Sequence, residues 1–315
     1  MHCIQATYFF VFKSVKNSFT LGDFVDYLRE NDFAANTVRG YKFDLEKFIE
    51  WFVENFGYPF EPDKLAALDL INYRQFLLNV RGLQPTTVNR RLEALRKLCR
   101  WLVQTKKIKI DVAASLKPLK FVRNRQPAGL SESEVHALLR VAGSSNFAVR
   151  NYAIVQLMVQ TGLRVSEVAA LKISDVKASE RSGTVLVRQS KGLKDREIPL
   201  NASVRRAVRS YSDSRRESNS EAFFLNQTNE ALSKRMIQSI ITQFGKKAKI
   251  TRVSVSAHTL RHTFALNYLK QNPGKIVDLA NLLGHESLDT TAIYTKPSLS
   301  DLSRDLEKIS SNVYG

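Results

Sequence analysis

From about residue 18 to 105 the apolar residues recur every three or four positions, the period of amphipathic helices. Thr20 can cap a first helix that carries Phe24, Tyr27 and Leu28 on one side. A second runs over about 36–56, with Val38, Tyr41, Leu45, Phe48, Ile49 and Phe52 in phase, and Gly57 and Pro59 end it. A third is predicted over 62–80. A fourth starts at Pro85-Thr86 and ends near Thr105, with Val88, Leu92, Leu95, Leu98 and Leu102 as its stripe. Together they make a small helical bundle. Residues 106–127 contain Pro118 and Pro127 and show no long period, so they read as a linker.

The pattern changes after Leu130. Ser131 and Glu134 have capping-box spacing, and helices are predicted at 131–142 and 147–161. A β-branched run from Gly183 to Arg188, a turn over 190–194 and a second run from Arg196 to Leu200 predict a hairpin. Helical periods resume at 201–214, 233–248, 257–271 and 275–283, and 299–310 reads as a weakly amphipathic tail helix. The expected class is mainly α with a small β-sheet, in two domains. No internal repeat is visible.

Composition sharpens this. The chain has 315 residues, 43% apolar, enough for two ordinary cores. Lys and Arg number 48 against 30 Asp and Glu, a net charge of +18, which points to a polyanionic partner: nucleic acid first, an anionic membrane surface second. Residues 1–80 hold 8 basic and 11 acidic residues, whereas 81–125 hold 13 basic residues and only Glu93 and Asp111. Arg90, Arg91, Arg96, Lys97 and Arg100 lie on the fourth helix, and Lys106, Lys107, Lys109, Lys117, Lys120, Arg123 and Arg125 on the connector. A block this concentrated reads as an anion-binding face. The two cysteines, Cys3 and Cys99, lack zinc-ligand spacing, and Cys99 sits in an apolar stripe; so few cysteines fit a reducing cytoplasm. The apolar run Tyr8–Phe12 is too short to span a bilayer and has no signal-peptide flanks, and no other stretch is apolar enough.

Four segments carry chemistry: Arg164 with Glu167, Lys191 in the hairpin turn, His258 with Arg261 and His262 behind it, and Leu283-Gly284-His285 followed nine residues later by Tyr294. Phosphodiester exchange without a metal needs fixed cations against the extra negative charge of its transition state. The planar fork of arginine suits two phosphate oxygens, so Arg164 and Arg261 can clamp one phosphate. A tyrosine can hold the cut strand as a phosphoester. A lysine with a lowered pKa can protonate the departing oxygen, and histidine can move the tyrosine proton or donate to the phosphate. His258 and Arg261 share a helix face in a first turn, where the helix end favours an anion. Each signal alone has a bland reading: a surface ion pair for Arg164–Glu167, a solvated turn for Lys191, a packing role for Tyr294. Lys194 shares the turn and competes with Lys191 for the acid role.

Taken in this order on a basic chain, the residues closely resemble the tyrosine recombinases, or phage-integrase family, over about residues 18–310. The family's Arg, Lys, His-x-x-Arg, His and Tyr fall on Arg164, Lys191, His258 with Arg261, His285 and Tyr294, and its acidic partner on Glu167. No catalytic position is missing, and residues 1–16 have no counterpart.

The resemblance implies a two-domain DNA clamp. A helical, SAM-like core-binding domain over 17–117 would join, through a linker at 118–126, a mixed α/β catalytic domain over 127–315. Arg90, Arg91, Arg96, Lys97, Arg100, Lys120 and Arg123 would then contact DNA. It implies that Tyr294 attacks a phosphodiester and forms a 3′-phosphotyrosyl bond. Arg164, Arg261 and His285 would stabilise the phosphate, Lys191 would protonate the leaving oxygen, and His258 would assist the tyrosine proton. The partner would be double-stranded DNA with an inverted-repeat core site, and four copies joined by their C-terminal tails would exchange strands through a Holliday junction. Accessory proteins are open; no cofactor, metal or membrane is expected, and the compartment would be the cytoplasm, on the nucleoid. A type IB topoisomerase uses a similar residue set, but Leu-Gly-His and the nine-residue gap to Tyr294 favour the recombinase. The intact set speaks against a DNA-binding relic.

Overall fold

Helices form where the caps stand. Thr20 accepts a hydrogen bond from the Asp23 amide (3.3 Å) and starts α1, Leu21–Glu30. Helix α2, Ala35–Phe56, stops at Gly57 in the left-handed conformation. Pro85 stands in the first turn of α4, Pro85–Gln104, where its missing N–H costs nothing. The computed structural model describes residues 20–120, 127–188, 195–285, 287–295, 302–303 and 306–307. The chain divides into two units, Met1–Val122 and Arg123–Gly315.

In the first unit the helices close on an aromatic-rich core. Phe24, Phe48, Phe52, Tyr73, Leu92, Leu95 and Leu98 are fully or almost fully buried. Phe48 and Tyr73 meet edge to face with centroids 5.0 Å apart, a favoured arrangement of ring quadrupoles. The helix expected over 62–80 is broken into three pieces. A 3₁₀ turn spans Pro62–Lys64, α3 spans Ala67–Gln75, and a π-helical turn follows at Phe76–Val80. The break has a local cause: the Asp69 carboxylate accepts the Ala66 N–H at 2.9 Å and restarts the helix there. The stretch after 106 also differs from a free linker. Ile108, Ala113 and Leu116 are buried in the helical core, and Asn89 clasps both backbone groups of Leu119 (2.8 and 3.0 Å).

The second unit is built around α6, Ala148–Thr161, whose residues Ala153–Val159 are all buried. Helices α5 (Glu132–Gly143), α8 (Ala202–Ser214) and α10 (Ala257–Gln271) pack on it. The hairpin is β2, Gly183–Val187, against β3, Arg196–Pro199, in antiparallel register with Val185 opposite Ile198. Both of those residues are buried, so one face of the sheet joins the core. A third strand, β1 (Val176–Ala178), extends the sheet in the order β1-β2-β3 and was not expected. Short helices α7 (Val165–Ala170) and α12 (Leu288–Ala292) are also additions. Helices α9 (Lys234–Lys247) and α11 (Ile276–Leu283) complete the unit. The turn with Lys191 and Lys194, the connector residues Arg123 and Arg125, residues 1–16 and most of the tail at 299–310 lie outside the described residues.

Candidate active site

The C-terminus of α11 organises the site. A helix end leaves its last carbonyls without intrahelical donors, and those carbonyls carry the negative end of the helix dipole. Here three successive ones receive three arginines from three separate segments. Arg196 donates from Nε to Leu282 O (3.0 Å), Arg261 from Nη2 to Leu283 O (2.7 Å), and Arg164 from Nη2 to Gly284 O (3.0 Å). Arg261 also donates from Nη1 to Gly162 O at 2.7 Å, across the C-cap of α6. Gly162 and Gly284 both have left-handed φ, +66° and +64°, which lets the chain turn closely over these guanidiniums.

Glu167 braces the cluster. One carboxylate oxygen accepts the Arg164 backbone N–H (2.7 Å) and Arg196 Nη2 (2.9 Å), and the other accepts Arg164 Nη1 (3.0 Å). Burial pushes this carboxyl up, but Arg196, Arg164 and the backbone bond outweigh it, so Glu167 lies below the usual range and stays ionised. Arg261, only 4% exposed, is pushed down to about 10 by burial and by Arg164, and is still a cation at neutral pH.

The cations face an opening. Arg164, Ser166, Lys234, Ser256, His258 and Arg261 line a cleft of about 580 Å³. The first turn of α10, capped by Ser256, also borders it, so backbone N–H groups add to the pull on an anion. The histidines around the cleft are neutral. His285 follows the α11 C-cap, its Nδ1 is 2.8 Å from Thr291 Oγ1, and burial with Arg261, Arg164 and Arg196 holds it near 4. His258 is lowered by burial, then by Arg261 and Arg164.

Tyr294 is 7% exposed, and its hydroxyl lies 2.7 Å from Nδ1 of His262. The His262 ring stands edge to face with that of His258, centroids 4.1 Å apart, so the phenol is one ring removed from a residue of the cleft wall. Burial raises the Tyr294 pKa, with Arg261 opposing, and burial followed by His258 and Arg261 lowers His262 to about 4.

The structure thus gathers Arg164, Glu167, His258, Arg261, His285 and Tyr294 around the α11 terminus. Lys191 lies outside the described residues. Sequence reasoning passed over three participants. Arg196 read as a strand residue, although Arg-Glu-Ile-Pro directly after the lysine-bearing turn placed a cation beside it. His262 was one more histidine behind Arg261, and its i, i+4 spacing from His258 was the available signal. Thr291 gave none. Of the basic residues assigned to DNA, Arg90 is paired with Asp44, and Arg96 binds Glu93 and the Leu116 carbonyl. Arg91 lies near the same Asp44, at 3.8 Å. The Lys97 ammonium stands over the Phe33 ring at 4.8 Å, Arg100 and Lys120 are exposed, and Arg123 is not described.

The chain is similar to known proteins over most of its length. Residues 129–300 match the phage integrase family, and residues 21–106 match the phage integrase N-terminal SAM-like domain. Tyrosine recombinase XerC of Neisseria meningitidis is 34% identical over 86% of this chain and 88% of its own. The TnP I resolvase of Bacillus thuringiensis is 27% identical over 90% of this chain and 97% of its own. Among solved structures, XerH site-specific recombinase bound to palindromic difH substrate, in a post-cleavage complex, superposes with a TM-score of 0.73 at 23% identity, covering 92% of this chain and 83% of that one. A lambda integrase dimer bound to a core site gives 0.70 at 18% identity, covering 88% and 94%. The chain belongs to the phage integrase family of tyrosine recombinases.

Proposed function

We propose that this chain cuts and rejoins duplex DNA at a specific inverted-repeat site, with Tyr294 as nucleophile and a 3′-phosphotyrosyl bond as intermediate. The observation that carries the reading is the pairing of Arg164 and Arg261 in one cleft, fixed by the same helix end, with Tyr294 one ring away. Arg164 and Arg261 hold the scissile phosphate and meet the charge that grows on its oxygens. His285, with its Nδ1 occupied by Thr291, donates from its other nitrogen to the same phosphate. Lys191 protonates the departing 5′ oxygen, with Lys194 as the alternative. The freed 5′ hydroxyl of a partner duplex then attacks the phosphotyrosine, and two such exchanges pass through a Holliday junction. Four copies, linked by their C-terminal tails, carry this out. The helical domain over 17–117 and the catalytic domain over 127–315 both contact DNA. The chain works on the nucleoid in the cytoplasm. No helix among the described residues is long and apolar enough to cross a membrane.

The test is a covalent trap. Wild type and Tyr294→Phe are mixed with sheared DNA of the source genome, denatured, and assayed for protein-linked DNA. Adducts with wild type alone, at a 3′ phosphate and within one short inverted repeat, support the reading. Adducts scattered over many sequences would replace it with a topoisomerase. Tight binding without any adduct would replace it with a DNA-binding relic.

A further inference from the structure

We infer that His262, not His258, is the base that takes the proton from Tyr294 when it attacks DNA. The inference rests on Tyr294 being the nucleophile and adds a residue to its machinery. Three observations carry it. Nδ1 of His262 lies 2.7 Å from the Tyr294 oxygen, and among the described residues it is the one hydrogen-bond partner of that buried oxygen. A buried hydroxyl whose hydrogen had no acceptor would be left unsatisfied, so Tyr294 donates and Nδ1 accepts. This is the geometry a general base needs, within hydrogen-bond reach of the proton it removes. His258, by contrast, is exposed on the cleft wall and touches the His262 ring rather than the phenol.

The charges around the pair fit the timing. His262 faces His258 and Arg261 on its own helix and Tyr294 across from it; no carboxylate stands among the groups that shift it. The imidazole is therefore neutral and able to accept at any neutral pH, while the phenol stays protonated in the free protein. A phosphate entering the cleft supplies the missing negative charge, which favours an imidazolium beside it. The step balances as follows. The electron pair of the O–H bond remains on the phenol oxygen as it bonds to phosphorus, and the proton passes to Nδ1. The P–O5′ bond breaks with its pair on the 5′ oxygen, which takes a proton from Lys191. In rejoining, the His262 imidazolium returns its proton to the departing phenolate.

The test uses the full chain and a synthetic duplex of the target recovered in the covalent trap, made with either oxygen or sulfur at the bridging 5′ position. His262→Asn keeps an acceptor at the Nδ1 position but cannot hold a proton, and His262→Ala removes both. General bases typically contribute 10²–10⁴-fold, so both variants should form adduct at least about a hundredfold more slowly at unchanged DNA binding. Sulfur leaves without an acid, so it should rescue Lys191→Ala but neither His262 variant. Wild-type rates in His262→Asn would overturn the base assignment, and wild-type or faster rates in His262→Ala would show that the contact merely parks the phenol. An adduct from Tyr294→Phe would instead sink the nucleophile itself.

Discussion

Arg196 lies so close to Gly284 that a Cβ at that glycine would stand 2.7 Å from Nη1. One strand residue is thereby seated against the turn that sets His285, and the same guanidinium reaches Glu167 and Leu282 O. Gly284→Ala meets two obstacles: the left-handed φ of +64°, costing on the order of 1 kcal/mol, and displacement of Arg196 from the carboxylate that steadies Arg164. The variant should lose about 1–3 kcal/mol in urea unfolding, and its adduct formation should fall further than that loss accounts for. Unfolding at the wild-type urea concentration would show that the turn relaxes without disturbing Arg196.

Arg261 is the buried fork between Gly162 O and Leu283 O. Lysine there keeps a charge but has no planar pair of donors, so Arg261→Lys leaves a buried carbonyl unsatisfied or the phosphate ungripped. Cleavage should drop on the order of a hundredfold, as when one fixed donor to a developing oxyanion is removed. Binding of the same duplex should change only a few-fold, because most affinity comes from other phosphate contacts. Equal losses in binding and cleavage, measured by gel shift and adduct yield, would make Arg261 a binding residue alone.

The long amphipathic helices were legible because their stripes and caps agree: Thr20 for α1, Gly57 for α2 and Ser131 for α5 all stand where the period begins or ends. The hairpin was legible for the same reason, since β-branched runs flank one turn. Elements of three to six residues were not: β1, α7 and α12 are too short for a period to register. The break in the 62–80 helix depends on one side chain, Asp69, reaching back three residues, which competes with an otherwise continuous pattern. In the site, motif spacing brought out Arg164, Arg261 and Tyr294, but not Arg196. The contacts that fix them are between segments far apart in sequence, such as Arg164 with Gly284 and His262 with Tyr294, and no local pattern encodes those.

Acid should loosen the catalytic unit before its carboxylates titrate. His262 and His285 both sit near 4 in the fold against an ordinary 6.5. Between those values the unfolded chain binds protons that the folded chain refuses, so stability is full above pH 6.5 and is lost as pH falls towards 4. Glu167, held below its ordinary 4.5, adds its own loss lower still. The urea midpoint should therefore fall steadily from pH 7 to pH 5. His285→Asn, which can still accept from Thr291, should flatten the slope. An unchanged slope in that variant would mean that His285 protonates freely in the fold.

The basic residues of the helical unit are of two kinds, Arg90 and Arg96 tied to buried partners and Arg100 and Lys120 exposed on the surface, and the two kinds should behave differently on DNA. Asp44 is 1% exposed; burial pushes its carboxyl up, and Arg90, through a paired contact, and Arg91 oppose that. Arg96 ties α4 to the Leu116 carbonyl and so holds the chain that follows. Removing either arginine strands a buried polar partner, so Arg90→Ala and Arg96→Ala should each cost about 1–3 kcal/mol of stability. Arg100 and Lys120 are exposed. Their alanine variants should unfold like wild type yet weaken binding to target and random duplex alike, each lowering the slope of log affinity against log salt by about 1. A fall in affinity for the target alone would mean that these side chains read bases. No fall at all would place the DNA on another face of the helical unit.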